Sequence, residues 1–482
     1  MNQPNERPVL LASFLFALML IGGGAWWLLR SEQLFPALNP GQPVSIGTSI
    51  GSDRSLFSAP LSVAKQAGMD AFAAGDYEQA RANFEAALQK NRNDPETRIY
   101  LNNAKIGDGA AYTLALSVPA SKAVKPALEM MRGVAQAQHT LNETGGINGM
   151  PLKIRVLDDE GNPYKAALIA KALVAAPEVL GVVGHFSSDT SLAAGKVYEE
   201  GQLTMVSPAS TAVELADLGE YVFRTVPSDR LAAGTLARHV LNQFKKKKVA
   251  LFFASNSAYS LSIRSEFITE LLSSGGSIAA DFDIRQPDFS PGQAVQTAKK
   301  QGAEAIMLAL PLEQVTTALQ VMSVNAQALP MVGSDSLYII NVLDVGRNNA
   351  VGLTIAVPWH VLSHGESPFV AESQKLWGGD INWRTATAYD ATMALAQAIQ
   401  ANPTRAGVAE AMGNSRFIAK GATDDVRFFT SGDRNQPSQL VEVQKGNRSG
   451  RGYDFVPVTI TKQTDTDEQT VPKQMDEAQE QG

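Results

Sequence analysis

Short apolar stretches alternate with helical patterns from Tyr112 onward, and this alternation constrains the fold more than any other feature of the chain. Strands of about four to eight residues separated by helices are typical of parallel sheets that carry helices on both faces. The strands are too many for one simple sheet, so we predict an α/β fold with two doubly wound lobes joined by a hinge, over residues 107–461. The predicted strands are 112–118, 152–158, 180–186, 203–207, 248–254, 277–284, 303–310, 330–334 and 351–358.

The acidic balance of the chain argues against a nucleic-acid partner. The 482 residues carry a formal net charge of −7, whereas nucleic-acid-binding proteins usually present a basic face. The one basic run, Lys245 to Lys248, follows a helical pattern, where cations complement the negative end of the helix dipole. The chain has no cysteine, which excludes disulfides, thiolate catalysis and cysteine-ligated metals.

An uncharged apolar stretch near the N-terminus, residues 9–29, predicts a transmembrane anchor. Its length matches the roughly 20 apolar residues that cross a bilayer, and Trp26 and Trp27 stand where an interfacial aromatic belt would lie. A cleaved signal peptide is the alternative, but bulky residues occupy the place where a cleavage site needs small ones. We expect residues 1–8 to form a short cytoplasmic tail and residues 30–60 a flexible linker.

Helical periodicity over residues 61–106 predicts a helical hairpin followed by one more helix. Residues 64–96 resemble one tetratricopeptide repeat (TPR), with a departure at Arg92, where the repeat usually has proline. A single repeat cannot bury its own core, so we expect it to pack on a neighbouring domain, on another copy of the chain or on a partner protein. A plain helical spacer is the alternative. The resemblance rests on Gly68, Phe72, Gly75, Tyr77, Ala80, Phe84, Ala87 and Pro95.

The segment GVVGHFSSDTS, residues 181–191, ends a predicted strand in a row of small hydrogen-bonding side chains. It lacks the glycine spacing of a phosphate-binding P-loop and the flanking glycines of a serine nucleophile elbow. The five histidines show no metal-ligand spacing. We therefore predict no enzyme activity, no cofactor and no metal site, and we interpret the segment as a clamp for a small polar ligand.

Five segments occur in a fixed order along the chain: GGINGMPLKIRVLDDEGNP, VVGHFSSDTS, YEEGQLTMVSPAST, GEYVFRTVPSD and TATAYDATMALAQAI. In this order they resemble the type I periplasmic solute-binding proteins of the leucine, isoleucine and valine group, and the resemblance covers about residues 112–457. It implies a Venus-flytrap domain whose two lobes close on an amino acid.

The resemblance also implies which residues hold the ligand. Ser188 aligns with a hydroxyl that contacts the ligand carboxylate, and Ala209 and Thr211 align with backbone and hydroxyl groups on the same head group. Tyr259 aligns with a tyrosine that closes over the ligand, and Asp335 with the acid that pairs the ammonium.

The residues alone also allow structural roles for these positions. Ser188 and Thr211 suit strand-end capping, Asp335 suits the N-cap of a helix, and Tyr259 suits ordinary packing between lobes. We expect a helix to open at Ser191, whose positive dipole end would favour a carboxylate.

Departures from the family's pattern predict an altered pocket for the ligand side chain. Leu310, Pro311 and Leu312 stand where the family usually has an aromatic pair, and the first loop, SVPASKAVKP, is shorter than usual and lacks an aromatic residue. Asp335 is shorter than the customary glutamate. A closer ammonium, a water bridge and a different ligand, such as an amide or urea, all remain open.

The connections between lobes can also be placed by resemblance. RTVPSD, residues 224–229, resembles the first crossing, and we expect a second crossing between about residues 335 and 351. Residues 462–482 are polar, acidic and aperiodic, so we predict a disordered tail.

Together these features predict a single-pass inner-membrane protein whose C-terminal domains are extracytoplasmic. We expect it to capture a small amino acid of the branched-chain type, or a related amide, by lobe closure. It would serve as the substrate-binding component of an ABC-type transporter or as a receptor, with a permease or a signalling protein as partner. The alternative is a scaffold in which the TPR-like repeat binds a protein partner and the binding domain is degenerate.

Overall fold

A computed structural model describes residues 55–58 and 60–458 of the chain. The predicted anchor at residues 9–29, the cytoplasmic tail, most of the linker and the tail at 462–482 lie outside the described residues. Within the described part, no helix has both the length and the apolar character needed to cross a membrane.

Helices and strands alternate through the described residues after a helical start. The α-helices are α1 Val63–Ala73, α2 Tyr77–Lys90, α3 Pro95–Ile106, α4 Val124–Glu143, α5 Pro163–Val174, α6 Ser188–Glu200, α7 Asp229–Asn242, α8 Ala258–Ser273, α9 Pro291–Lys300, α10 Val315–Asn325, α11 Pro368–Trp377, α12 Trp383–Ala401 and α13 Arg405–Gly413. The strands are β1 Tyr112–Val118, β2 Leu152–Asp158, β3 Val179–Val183, β4 Met205–Ser207, β5 Val222–Arg224, β6 Lys248–Phe253, β7 Ser277–Asp283, β8 Ala305–Ala309, β9 Met331–Gly333, β10 Thr354–Val357, β11 Ala419–Lys420, β12 Asp425–Val426, β13 Gln439–Lys445 and β14 Tyr453–Pro457.

The two predicted lobes are confirmed by two separate sheets. Lobe 1 contains a five-stranded parallel sheet in the order β2-β1-β3-β4-β5. Lobe 2 contains a seven-stranded sheet in the order β14-β13-β10-β9-β8-β6-β7. Strands β6 to β10 pair in parallel, whereas β13 and β14 add an antiparallel edge that the sequence did not predict. The fold is α/β, with the carboxyl ends of the parallel strands available for a ligand.

The first crossing between lobes follows β5 and leads into α7, as the RTVPSD segment predicts. The second crossing is not between residues 335 and 351, and that prediction was wrong. Strand β10 still pairs with β9 in lobe 2, and residues 342–350 form short turns that pack against α10. The chain reaches lobe 1 only at α11, where Gln136 of α4 donates a 3.1 Å hydrogen bond to the carbonyl of Phe369.

A third crossing returns the chain to lobe 2 before β13. Arg434 still belongs to lobe 1, where its guanidinium lies 3.3 Å from the carboxylate of Asp390 in α12. The sequence did not predict this crossing, because residues 435–438 carry no pattern that distinguishes them from an ordinary loop.

The helices of residues 63–106 pack on lobe 1 rather than standing apart. Helices α1 and α2 form a hairpin in which a Cβ atom at Gly68 would lie 2.5 Å from the ring of Phe84, so a larger residue does not fit there. Helix α3 contacts α4 and β2. The side chain of Asn103 accepts from Gln138 at 2.8 Å, donates to the carbonyl of Ile154 at 2.8 Å and accepts from its N–H at 3.1 Å. Packing on the neighbouring domain, one of the three expected supports, is therefore present.

Candidate ligand-binding cleft

A cavity of about 540 Å³ lies between lobes 1 and 2. The loops after β1, β2 and β3 form the wall of lobe 1, and the start of α8 and the loops after β8 and β9 form the wall of lobe 2. Ligands of doubly wound folds bind at these carboxyl ends, and the volume suits a small molecule. Four of the five sequence-predicted site residues line the cavity: Ser188, Ala209, Tyr259 and Asp335.

The segment after β3 turns sharply and opens α6 directly at the cavity. Gly184 has φ +145°, and a Cβ atom there would lie 2.8 Å from the carbonyl oxygen of Ser117. Ser187 is the N-cap of α6, because its hydroxyl accepts from the N–H of Thr190 at 3.2 Å and the Thr190 hydroxyl accepts from the N–H of Ser187. The helix therefore begins at Ser188, and the predicted start at Ser191 was wrong.

Of the lobe 1 candidates, Ser188 lies at the start of α6, and Ala209 and Thr211 lie in the loop after β4. Ser188 is 2% exposed, and its hydroxyl accepts a 3.3 Å hydrogen bond from the N–H of Ala212. Ala209 lines the cavity, whereas Thr211 is not among the lining residues. The Thr211 hydroxyl is buried and faces the carboxylate of Asp229. Its carbonyl accepts from the N–H of Asp229, so this loop is tied to the first lobe crossing.

A buried acid at that crossing was not predicted as a site residue. Asp229 is 1% exposed, and one of its carboxylate oxygens has no hydrogen-bond partner among the described residues. Burial raises the pKa of Asp229 to about 7, with the hydroxyls of Ser262 and Thr211 opposing that rise and the charge of Asp335 adding to it. In the sequence, the only signal for Asp229 is its position at the end of RTVPSD, the predicted first crossing between lobes.

The two lobe 2 candidates are joined to each other. Helix α8 begins next to its N-cap Ser257, which places Tyr259 in the first turn, and Asp335 opens a short 3₁₀ turn after β9. The phenol of Tyr259 donates a 2.5 Å hydrogen bond to Asp335. Burial raises the pKa of Asp335, opposed by that hydrogen bond and by the charge of Arg384. Burial, with the charge of Asp335, raises the pKa of Tyr259 well above its usual value, so the phenol keeps its proton.

Arg384, at the start of α12, also lines the cavity, and sequence reasoning missed it. Its side chain is 1% exposed, and its Nη1 lies 3.2 Å from a carboxylate oxygen of Glu129. The guanidinium carbon lies 4.2 Å from the centre of the Trp383 ring. The segment TATAYDAT that carries the family resemblance begins one residue later, at Thr385, which is why Arg384 was not singled out.

Two hydrogen bonds connect the lobes on one side of the cavity. The carboxylate of Asp189 in α6 accepts from the N–H of Ala258 in α8 at 3.1 Å. The hydroxyl of Ser262 in α8 accepts from the N–H of Val213 in lobe 1 at 3.0 Å. The first contact joins the helices that carry Ser188 and Tyr259, and the second joins α8 to the turn after the loop of Ala209 and Thr211, so both link lobe position to the geometry of the cleft.

The aromatic part of the cavity wall is arranged differently from the pattern that the resemblance implies. Pro311 and Leu312 line the cavity after β8, without an aromatic residue, as the sequence indicates. Phe186 and Trp383, both from lobe 1, supply aromatic surface instead. Within residues 55–58 and 60–458, no group of three His, Asp or Glu side chains is placed to hold a metal ion.

The family model described as "Periplasmic binding protein" matches residues 111–450 of the chain. An amino acid binding protein of Pseudomonas aeruginosa is 34% identical over 121 residues, which are 25% of this chain and 32% of the relative. A leucine-, isoleucine-, valine-, threonine- and alanine-binding protein of the same organism is 26% identical over 195 residues, 40% of this chain and 52% of the relative. The chain thus spans between about a third and about half the length of these curated relatives.

Solved structures share the fold of the two lobes. An ABC transporter substrate-binding protein of Desulfitobacterium hafniense, in complex with Leu, has a TM-score of 0.60 at 22% identity and covers 72% of this chain and 100% of its own. A solute-binding protein of Rhodopseudomonas palustris, in complex with p-hydroxybenzoic acid, has a TM-score of 0.63 at 16% identity and covers 72% of this chain and 96% of its own. The family match over residues 111–450 shows that the chain belongs to the periplasmic binding protein family.

Proposed function

We propose that the protein captures a small amino acid, or a related amide, between its two lobes. The observation that carries this proposal is the presence, in one cavity, of the N-terminus of α6 on lobe 1 and the carboxylate of Asp335 on lobe 2. A helix N-terminus favours a carboxylate, and an acid favours an ammonium. An amino acid presents both groups on one carbon, so it can engage both lobes at once.

In this proposal each candidate residue has one role. Ser188 and the backbone of Ala209 contact the ligand carboxylate, and Thr211 supports the same head group from behind the cavity wall. Asp335 pairs the ammonium, and Tyr259 covers the ligand.

The relatives support the ligand class in different degrees. The curated relatives are described as binding amino acids, including leucine, isoleucine and valine. The Rhodopseudomonas palustris protein was solved with p-hydroxybenzoic acid, a carboxylate without an ammonium group. Asp335 favours the first class for this chain, because an acid in the cleft would have no cationic partner on such a ligand.

We further propose that residues 9–29 anchor the protein in the inner membrane, with residues 1–8 in the cytoplasm and the two lobes outside. The family is periplasmic, and a flytrap domain tethered inside the cell would not meet its solutes. The protein then serves an ABC-type permease or acts as a receptor. Reporter fusions after residue 100 test the topology: activity restricted to the cytoplasm would contradict it.

The scaffold alternative has less support. Helix α3 uses its surface on lobe 1, through Asn103 and its neighbours, so the helical repeat is attached to the binding domain instead of being presented as a free array. A protein partner at the repeat would have to use the outer faces of α1 and α2.

Calorimetry of the full chain in detergent, against the common amino acids, urea and short amides, tests the proposed function. We expect saturable binding of at least one amino acid with one site per chain. Heat from none of these compounds would contradict the proposal and favour the scaffold alternative.

A further inference from the structure

Arg384 lines both the cleft and a neighbouring cavity that Glu129 also lines, and one of the two hydrogen-bonding edges of its guanidinium is unused. Nη1 contacts Glu129 at 3.2 Å and the side-chain oxygen of Asn382 at 3.5 Å. Nε is buried without a partner, and Nη2 makes no hydrogen bond with any described residue. The Nε–Nη2 edge is the one that presents two parallel N–H groups to a carboxylate.

The side chain is also held rigidly. It is 1% exposed, stacks 4.2 Å from the centre of the Trp383 ring and lies 5.7 Å from the centre of the Phe186 ring. Phe186 and Trp383 both line the same cavity as Arg384. A buried cation with free donors is costly, so a site that retains one is expected to supply it with an acceptor.

We propose, on the basis of the amino-acid clamp proposed above, that the unused edge of Arg384 binds a second carboxylate carried by the ligand's side chain. The preferred ligand class is then an acidic amino acid rather than an aliphatic one. A carboxylate accepts both N–H groups of the edge, whereas a hydroxyl or an amide oxygen occupies them less completely.

Three groups in the cleft can receive the three charges of such a ligand, although Lys122, Glu160, Asp189 and Glu313 also line the cavity. The α-carboxylate lies at the start of α6, the ammonium at Asp335, and the side-chain carboxylate at Arg384, so each charged group of the ligand meets a group of opposite character. Pro311 and Leu312 leave the part of the lobe 2 wall after β8 without the aromatic pair that the family usually has there.

A purely structural role for Arg384 is the competing explanation. The ion pair with Glu129, whose side chain is 20% exposed, and the proximity of Asp335 both give the guanidinium counter-charges. Neither engages the Nε–Nη2 edge by hydrogen bonding. If Arg384 is only a structural counter-ion, its substitution should weaken the binding of acidic and aliphatic ligands equally. If Arg384 binds the ligand, its substitution should weaken the binding of acidic ligands alone.

The test is titration of the full chain in detergent with glutamate, aspartate and leucine, for the wild type and Arg384→Met. We expect an acidic amino acid to bind at least about 10-fold more tightly than leucine to the wild type. Arg384→Met should weaken acidic ligands by about 10- to 100-fold, as the loss of a charge-assisted pair predicts, and change leucine less than about 3-fold. Arg384→Lys should restore part of the acidic affinity.

Controls separate the outcomes. Lys125→Gln removes an exposed cation near Glu129 that lines a neighbouring cavity instead of the cleft, and should leave the preference unchanged. If Arg384→Met melts early because Glu129 is left unpaired, the double variant Glu129→Gln, Arg384→Met replaces it. Leucine binding more tightly than both acidic ligands, or equal losses for all three, would overturn this proposal while leaving the amino-acid clamp intact. Binding of no amino acid would overturn the clamp itself.

Discussion

The phenol of Tyr259 donates a 2.5 Å hydrogen bond to the carboxylate of Asp335, so the residue proposed to cover the ligand also orients the residue proposed to bind its ammonium. The two come from different elements of lobe 2, the first turn of α8 and the turn after β9. This pair therefore makes ligand contact and carboxylate ionisation depend on each other.

Tyr259→Phe should make ligand binding more sensitive to acid. The hydrogen bond from Tyr259 lowers the pKa of Asp335 against the effect of burial, so its loss raises that pKa further. Binding needs the ionised carboxylate, and affinity is lost as the pH falls through the pKa, so the loss should begin at a higher pH in the variant. Calorimetry from pH 8 down to pH 4 checks this. Tyr164→Phe, at an exposed tyrosine, is the control.

Alanine substitutions should rank the clamp residues. Asp335→Ala leaves the ligand ammonium unpaired in the cleft and should weaken binding by about 2–5 kcal/mol, whereas Ser188→Ala removes one charge-assisted bond and should cost about 1.5–3 kcal/mol. Tyr259→Ala should fall between them or below. Asp288→Ala removes an exposed acid of lobe 2 that does not line the cleft, and should have no effect on affinity. Equal losses of melting temperature without any loss of affinity would mean that the three residues are structural.

Asp229→Asn should change how stability depends on pH. The folded pKa of Asp229 is raised from 3.8 to about 7 by burial, so the folded state binds this proton more tightly than the unfolded state. Protonated Asp229 therefore contributes fully to the free energy of unfolding below about pH 4. This contribution is lost as the pH rises towards 7, and the loss is at most about 4 kcal/mol. Denaturation midpoints between pH 4 and pH 8 should fall less in the variant than in the wild type. Parallel curves would show that Asp229 does not hold its proton in the folded protein.

Asn103→Ala should destabilise the helical repeat and lobe 1 together. The substitution removes three hydrogen bonds and leaves the buried backbone of Ile154 without these partners, at a cost of about 2–4 kcal/mol, while Gln138 keeps its hydrogen bonds to Leu152 and Asn102. Asn348→Ala is the matched control, because that side chain is exposed and makes no hydrogen bond with any described residue. A midpoint equal to the wild type in Asn103→Ala would contradict the attachment of α3 to lobe 1.

The sequence predicted every parallel strand except β5, because the signal of these strands is local. Strands β1 and β2 occupy the predicted residues throughout, since apolar residues recur at every second position in both and turn residues bound them. The second crossing was misplaced because its position depends on where the turns after Asp335 pack, which is a long-range property. The start of α6 was misplaced because the capping partner of Ser187 is a threonine, whereas the familiar capping box has Glu or Gln at that position.

The candidate site was predictable where the family resemblance carries the residues. Ser188, Ala209, Tyr259 and Asp335 meet at one cavity although up to 147 positions (335 − 188) separate them in the chain. Arg384 could not be placed in the same way, because only the packing of α12 against lobe 1 brings it to the cleft.

Distance measurement between the two lobes tests the central claim, capture of an amino acid by lobe closure, most directly. The chain has no cysteine, so spin labels can be attached uniquely at Lys196→Cys in α6 and Lys299→Cys in α9, both exposed in the wild type. The account predicts that the bound amino acid shifts the label-to-label distance distribution towards closure, and that Asp335→Ala abolishes the shift at the same ligand concentration. A distribution that no amino acid changes, or that shifts equally with Asp335→Ala, would contradict it.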